Sequence, residues 1–412
     1  MTEPTITLYG AHWCPDCRRS KQFLGEHQIP YNWVDIEQDP AAEQKVIQMN
    51  NGKRIIPTIV FDDGSYLVEP SNAELAAKLG LKTTASRSHY DLIVIGGGPA
   101  GLTAALYTAR EAIDTLVIER AAPGGQAAAT EKLENMPGFP QAIEGIQFAN
   151  RLRQQAEQFG VELLQAQEVV NIHSHDNYHC ITTGDGSEYS AKALLITTGS
   201  KYRRLGAPGE TDYLGAGVHF CATCDGPFYK GKHVAVIGGG NSATEESLLL
   251  TKFAKKVTII ARSSAFTASQ IIQEKVLSHP QITVRWNTEV KAFKGEHSKL
   301  NRLELINNQS GEEDVLPVDG AFIFIGLDPN TAFLQDTGIQ LNRWGFVVTG
   351  HDLVHEGALP QFNGREPMML ETAVPGIFAA GDVRQGSTKQ VASATGEGAT
   401  AALEIREYLK TV

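Results

Sequence analysis

Long basic runs, a charged and apolar leader, and an uninterrupted apolar stretch of membrane length are all missing from this sequence. Without clustered Lys and Arg there is no electrostatic footprint for nucleic acid and no polybasic anchor for a bilayer. The formal net charge of −11 points the same way. Met1–Gly10 reads as the opening of a folded domain and not as a leader, so a cytoplasmic location is expected. The most apolar segment, Tyr90–Ala109, contains Asp91, Pro99 and a glycine cluster, which suit a strand, turn and helix better than a membrane span.

Cysteine is also scarce. There are five in 412 residues, four of them in the pairs Cys14/Cys17 and Cys221/Cys224, with Cys180 left over. An odd, sparse set excludes a secreted disulfide framework and leaves the two Cys-x-x-Cys pairs as redox or metal candidates. Four thiolates could in principle hold zinc. The pairs lie far apart in the chain, however, and no His-x-x-x-His accompanies either one, so no metal is assigned. His173, His175 and His179 read as solvated side chains of a surface strand, and Cys180 as an inert thiol.

What is present is a chain long enough for two or three cores, 42% of it hydrophobic. The N-terminal pattern alternates strand Ile6–Tyr9, a helix from near Cys14, strand Tyr31–Ile36, helix Ala41–Met49, strand Ile59–Phe61 and helix Asn72–Leu79. This is a small redoxin-like unit over residues 1–81. Lys82–His89 is polar without an apolar period and reads as a linker, reaching at most about 27 Å when extended. Two strand, Gly-rich turn and helix units open at Tyr90 and His233, predicting two doubly wound nucleotide-binding domains. The fold class is therefore α/β, with two Rossmann-like dinucleotide-binding domains preceded by a thioredoxin-fold domain. The expected boundaries are 90–207 and 327–412 for the first nucleotide domain and 208–326 for the second. His351–Met369 has no clear period and is expected to be a long loop, and Ala392–Leu409 a closing helix.

After the apolar strand Asp91–Ile95 come Gly96, Gly98 and Gly101 in a G-x-G-x-x-G turn, with Glu119 at the end of the next strand. Gly96 permits the tight turn, Gly98 lets backbone approach a pyrophosphate, Gly101 allows close helix packing, and Glu119 can accept from a ribose hydroxyl. A second copy has Gly238 and Gly240, with Ala243 in place of the last glycine. At the end of its next strand Arg262 replaces the acid, which favours a 2′-phosphate, and hence NADPH, with NADH possible. Cys221 and Cys224 lie just before this second fingerprint and are followed at once by Asp225, a carboxyl able to protonate a departing thiolate. At the N-terminus, Pro15 suits the first turn of a helix whose free N–H groups would stabilise a Cys14 thiolate, making Cys14 the nucleophile and Cys17 the resolver.

Several separated motifs across Tyr90–Val412 make this stretch resemble the low-molecular-weight, bacterial-type thioredoxin reductase family. They are Gly96–Gly101, Gly124–Gln126, Asn135 before Pro137-Gly138, Thr197–Gly199, Cys221–Gly226, Gly238–Ala243 and Gly381-Asp382. The resemblance implies FAD in the first nucleotide domain, contacted by Glu119, Gln126, Asn135, Asp382 and Gln390. It also implies that Cys224 faces the flavin, that Cys221 exchanges with the substrate disulfide, that Asp225 is the acid, and that the protein is a homodimer whose dithiol-bearing domain rotates. The chain departs from the family pattern in its phosphate-reading segment, where only Arg262 remains basic, and at Lys389-Gln390-Val391, where Arg-Gln-Ala is common. The N-terminal unit resembles glutaredoxin-like redoxins of the mycoredoxin group through Trp13–Cys17 and Ile56-Pro57-Thr58.

Together these resemblances imply an FAD-dependent disulfide reductase. Electrons from NADPH would pass through FAD and Cys221/Cys224 to Cys14/Cys17, and from there to an external protein or small-molecule disulfide. Two alternatives stay open from sequence: a flavoprotein partner of a peroxiredoxin, and a flavin redox sensor.

Overall fold

The computed structural model describes residues 6–27, 29–130, 132–175, 178–296, 299–355, 362 and 365–412. At the N-terminus, β1 (Ile6–Gly10), α1 (Pro15–Glu26), β2 (Tyr31–Asp35), α2 (Pro40–Met49), β3 (Thr58–Val60), β4 (Tyr66–Val68) and α3 (Asn72–Lys78) follow one another. Their sheet runs β2-β1-β3-β4, with β1 parallel to β2 and antiparallel to β3. Three helix starts are written into the sequence. Asp39 and Ser71 cap α2 and α3, the latter in a reciprocal box with Glu74, and Cys14 caps α1. Leu8, Phe23, Leu24, Ile59 and Leu75 form the core. The β3–β4 hairpin was not expected from the pattern, because β4 has only three residues. Its turn is closed by Asp63, whose carboxylate accepts from the Ser65 N–H and hydroxyl.

The segment expected as a linker is pinned along its length. Lys82 Nζ, the Ser86 N–H and hydroxyl, and the Tyr90 hydroxyl all converge on the Glu162 carboxylate at 2.6–2.7 Å. Arg87 pairs with Asp114, the Ala85 N–H reaches the Tyr189 hydroxyl, and the Lys82 carbonyl accepts from the Gln165 N–H. Burial alone would raise the Glu162 carboxyl, but the bonds from Lys82, Tyr90 and Ser86 prevail and hold it at about 2.

Next come β5 (His89–Ile95), α4 (Pro99–Arg110), β6 (Thr115–Ile118), α5 (Gly125–Ala128), α6 (Gly145–Gln158), β7 (Glu162–Leu164), β8 (Val169–His175), β9 (Tyr178–Thr183) and β10 (Glu188–Ile196). Their sheet runs β7-β6-β5-β10-β9-β8, parallel from β7 through β10. β5 and β6 are near-continuous apolar runs because both faces are covered, as parallel strands require.

Thereafter the chain forms β11 (Ser200–Tyr202), β12 (Val218–His219), α7 (Ala222–Asp225), β13 (His233–Ile237), α8 (Asn241–Leu250), β14 (Lys256–Ile260), α9 (Gln270–Leu277) and β15 (Ile282–Arg285). Next are β16 (Thr288–Glu296), β17 (Lys299–Asn307), β18 (Glu313–Pro317), β19 (Gly320–Ile323) and β20 (Leu327–Pro329). A five-stranded parallel sheet in the order β12-β19-β13-β14-β15 is joined by an antiparallel three-stranded sheet, β16-β17-β18. The closing segment holds α10 (Asp352–His355), β21 (Ile377–Ala379), which joins β10, and α11 (Val391–Leu409). α10 falls within the expected loop His351–Met369, much of which lies outside the described residues.

The chain divides into two compact units. The first contains Met1–Ala129, Ile146–Gly199 and Asn330–Val412, and the second Thr130–Gly145 and Ser200–Pro329. Among the described residues no helix is long and apolar enough to cross a membrane.

Candidate active site

In the redoxin portion of the first unit, Cys14 is both the last residue before α1 and its cap. Its sulfur accepts from the Cys17 N–H at 3.1 Å and stands 3.8 Å from the Ile56 carbonyl oxygen. Both cysteines are thiols here. Cys17 is fully enclosed, and burial, together with its bond to Cys14, pushes its thiol up to about 12. Cys14 borders a groove of about 310 Å³ lined by Trp13, Pro15, Asp16, Arg54, Ile56 and Glu69. In the Ile56-Pro57-Thr58 motif, which carries part of the redoxin resemblance, the Ile56–Pro57 bond is cis.

The same unit builds a dinucleotide cradle. Gly96 has φ 111°, and a Cβ at Gly101 would run into the Gly96 carbonyl, so the turn and the helix behind it both exclude side chains. Gly98 opens α4 without a side-chain cap, and a Cβ there would face open space. The Glu119 carboxylate accepts from the Gly97 and Ala121 N–H groups at 2.7 and 2.8 Å, and its burial raises its pKa. The Gly124 N–H bonds the Gly97 carbonyl, which brings α5 and Gln126 to the glycine turn. Gly381 meets Ala100 of α4, and α11, capped by Gln390, packs along that helix through Gly398. Asp382 is mostly buried with its Oδ1 lacking a partner, and burial raises its carboxyl. An enclosed acceptor without a donor, open space at the N-terminus of α4 and a buried ribose-type acid fit a dinucleotide. Lys389, a departure noted in sequence, donates to the Asp382 and Arg384 carbonyls and is lowered by burial.

In the second unit Asn135 lies in the segment Thr130–Gly145. Gly238 has φ 145°, Gly240 opens α8 without a side-chain cap, and Ala243 is fully buried beneath the turn. Arg262 stands exposed beyond β14, and its carbonyl accepts from Asn308. Cys221 and Cys224 are joined in a disulfide in which Cys221 caps the four-residue α7 and accepts from the Cys224 N–H at 3.1 Å. Asp225 ends α7 with its carboxylate 3.3 Å from His219 Nδ1.

Sequence reasoning missed His219 and Tyr229, which flank this dithiol. The signal was a histidine in an apolar run two residues before the first cysteine. It also missed Glu246 on α8, whose Oε2 is buried without a partner and whose carboxyl is raised by burial. Cys180 is half-buried and raised by burial, an unactivated thiol, and the buried His179 bonds Ser174 in the neighbouring strand.

Two nucleotide-type glycine turns, one with a Cys-x-x-Cys disulfide beside it, and a separate redoxin dithiol define a dithiol–disulfide oxidoreductase. The chain belongs to the pyridine nucleotide-disulphide oxidoreductase family, whose model matches residues 90–398, and a glutaredoxin model matches residues 6–66. It is 41% identical to the thioredoxin reductase of Treponema pallidum over 78% of this chain and 98% of that protein. To the thioredoxin reductase of Bacillus subtilis it is 40% identical, over 78% of this chain and 95% of that one. The crystal structure of thioredoxin reductase from Streptococcus pyogenes superimposes with a TM-score of 0.71 at 37% identity, covering 79% of this chain and all of that one.

Proposed function

We propose that this protein is an NADPH-dependent disulfide reductase that carries electrons through Cys221/Cys224 to its own Cys14/Cys17 pair and then to an external disulfide. The observation that carries this reading is one chain bearing two dithiols, one a disulfide beside a nucleotide fold and one a thiol pair at a redoxin groove. When bound, FAD takes a hydride from NADPH and supplies two electrons to a disulfide.

Glycines 96, 98 and 101 would admit the flavin nucleotide, Glu119 would take its ribose, and Gln126, Asn135, Asp382 and Gln390 would hold the remainder. Gly238, Gly240 and Ala243 would admit NADPH, with Arg262 at its 2′-phosphate and NADH as the weaker donor. In the relay, Cys224 would be the sulfur nearer the flavin, Asp225 would protonate the thiolate that departs when the Cys221–Cys224 bond is reduced, and Cys221 would then attack the Cys14–Cys17 disulfide. Cys14 then attacks the external disulfide at the groove, and Cys17 resolves the mixed disulfide once a base or the departing thiolate has taken its proton.

Residues 1–81 form the redoxin domain, 82–89 its connection, 90–207 with 327–412 the FAD domain and 208–326 the NAD(P)H domain. The protein works in the cytoplasm as a homodimer on protein or small-molecule disulfides, without nucleic acid or membrane. A peroxiredoxin-directed or sensing role is not favoured, because the relatives are thioredoxin reductases and the redoxin region is single.

The test is Cys14→Ser. Reduction of the bound flavin by NADPH should proceed as in the wild type, while reduction of an external disulfide falls to background. Full retention of disulfide reduction would overturn the relay and leave Cys221 serving substrates directly.

A further inference from the structure

Behind the Cys221–Cys224 pair lies a chain of buried polar groups that the relay does not use. His219 ends β12 and Tyr229 follows α7 by four residues. The imidazole has its Nδ1 3.3 Å from Asp225 Oδ2 and its Nε2 2.6 Å from the Tyr229 hydroxyl. The histidine is 8% exposed and the tyrosine 5%, whereas the Asp225 carboxyl retains 26% exposure. Solvent therefore reaches this row of groups through Asp225, at the dithiol end.

The fold explains how so polar a group is held here. β12 pairs in parallel with β19, setting His219 opposite Phe322, whose ring lies 5.2 Å away. Tyr229 closes the other side, and its ring fits only because residue 320 is glycine, where any Cβ would collide with it. The charged groups facing this cluster are few. Asp225 and Asp319 both bear on Tyr229, and Lys232 Nζ lies 5.4 Å over its ring. Burial, reinforced by the two carboxylates, pushes the Tyr229 phenol up, so it keeps its proton throughout the neutral range.

A carboxyl that has given up its proton must recover one before it can act again, and an imidazole beside it can carry a proton and pass it on. The arrangement suits either protonation state of the ring. As imidazolium, His219 donates Nε2–H to the Tyr229 oxygen and sets its charge 3.3 Å from the Asp225 carboxylate. As neutral imidazole, it keeps Nδ1–H toward Asp225 and accepts the Tyr229 O–H at Nε2. No polar atom is stranded when the proton leaves, which is the condition for a buried group to gain and lose it repeatedly.

We propose that His219 is the positioning and proton-supplying residue for Asp225, with Tyr229 fixing its tautomer, so that Asp225, His219 and Tyr229 work as one proton relay for the Cys221/Cys224 pair. The proposal rests on the reading of that pair and of Asp225 given above. In the reductive step two electrons break the S–S bond and leave two thiolate sulfurs. The departing one takes its proton from Asp225, Asp225 recovers one from the His219 imidazolium, and water re-protonates the ring. When the dithiol next attacks an oxidised Cys14–Cys17 pair, its sulfurs re-form a disulfide, the two electrons pass to the acceptor, and Asp225 returns the thiol proton to His219.

The experiment compares His219→Gln, Tyr229→Phe and Asp225→Asn in the full-length holoenzyme. Glutamine retains a donor able to reach Asp225 but cannot titrate, so it separates proton supply from simple hydrogen bonding. The wild-type rate of external disulfide reduction should fall along an alkaline arm as the relay's proton is lost. His219→Gln should abolish that arm and turn over about a hundredfold more slowly at pH 7, the low end of what positioned proton transfer contributes. Tyr229→Phe, which keeps the ring packing, should shift the arm with a smaller loss.

A second readout needs no flavin turnover. In protein reduced with dithiothreitol, the pH midpoint for alkylation of Cys221 by iodoacetamide, followed by peptide mass, should rise in His219→Gln. Wild-type pH profiles in His219→Gln by both readouts, alongside a damaged Asp225→Asn, would overturn the relay and leave the reading of the dithiol standing. Wild-type activity in both Asp225→Asn and Cys221→Ser would instead sink that reading. Should His219→Gln fail to fold, a wild-type rate and a wild-type Cys221 alkylation profile in Tyr229→Phe would overturn the proposal by themselves.

Discussion

The two Cys-x-x-Cys pairs begin alike and then diverge. In each, the first cysteine caps a helix and its sulfur accepts the N–H of the second at 3.1 Å. After Cys14 the helix continues for twelve residues, so a full row of peptide dipoles points at the sulfur. After Cys221 it ends within four residues and leaves little dipole. The carboxyls differ as well. Asp16 pairs with Arg19 at the surface, whereas Asp225 faces the buried His219. In the proposed relay one site serves as the attacking thiol and the other moves protons, so a shared motif does not imply shared chemistry.

The strongest way to break this comparison is to neutralise both acids. Asp225→Asn should lower NADPH-dependent disulfide reduction by about a hundredfold or more, the scale of a lost general acid. Asp16→Asn removes half of an exposed ion pair and should change the rate by about threefold or less. Equal losses would mean that the two carboxyls act alike.

Packing offers a second contrast, because each site has a glycine behind it. A Cβ at Gly10 would come within 2.6 Å of the Cys17 sulfur, and one at Gly320 would collide with the Tyr229 ring. Gly10→Ala and Gly320→Ala should each cost about 1–3 kcal/mol by overpacking, read as a lower urea midpoint. If the two sites are independent, Gly10→Ala should leave the pH profile of Cys221 alkylation in place, and Gly320→Ala should displace it. Displacement by both would mean that the two sites are not independent.

Much of this was legible in sequence for physical reasons. Gly96–Gly101 and Gly238–Ala243 announce themselves because a tight turn with helix packing leaves few choices of residue, and Cys14-Pro15 marks a helix start because Pro15 occupies a position that needs no N–H donor. β4 was missed because three residues cannot display a period, although its Asp63-Gly64 turn was visible. His219 and Tyr229 escaped because their meaning lies in a contact across ten residues of chain that no local pattern encodes. Lys82–His89 looked like a free tether because it is polar, yet its polar groups are spent on Glu162, Asp114 and Tyr189.

That segment supplies the smallest effect and the last contrast, since an ionic latch joins the redoxin dithiol to the rest of its unit. Glu162 is depressed to about 2 by Lys82, Tyr90 and Ser86 against the opposing effect of its burial. A carboxyl lowered on folding contributes stability that is complete above its ordinary range and is lost as pH falls through the folded value. The latch should therefore hold at neutral pH, weaken below about pH 4 and be spent near pH 2. Glu162→Gln removes the ion pair with Lys82 and should weaken the segment by about 1–2 kcal/mol at pH 7. Digestion with pepsin checks this: at pH 4 residues 82–89 should be cut faster in Glu162→Gln than in the wild type, and the difference should close towards pH 2. Equal cutting at pH 4 would show that the polar segment is a tether after all, and that residues 1–81 are joined to the rest of their unit by chain length and not by a built seat.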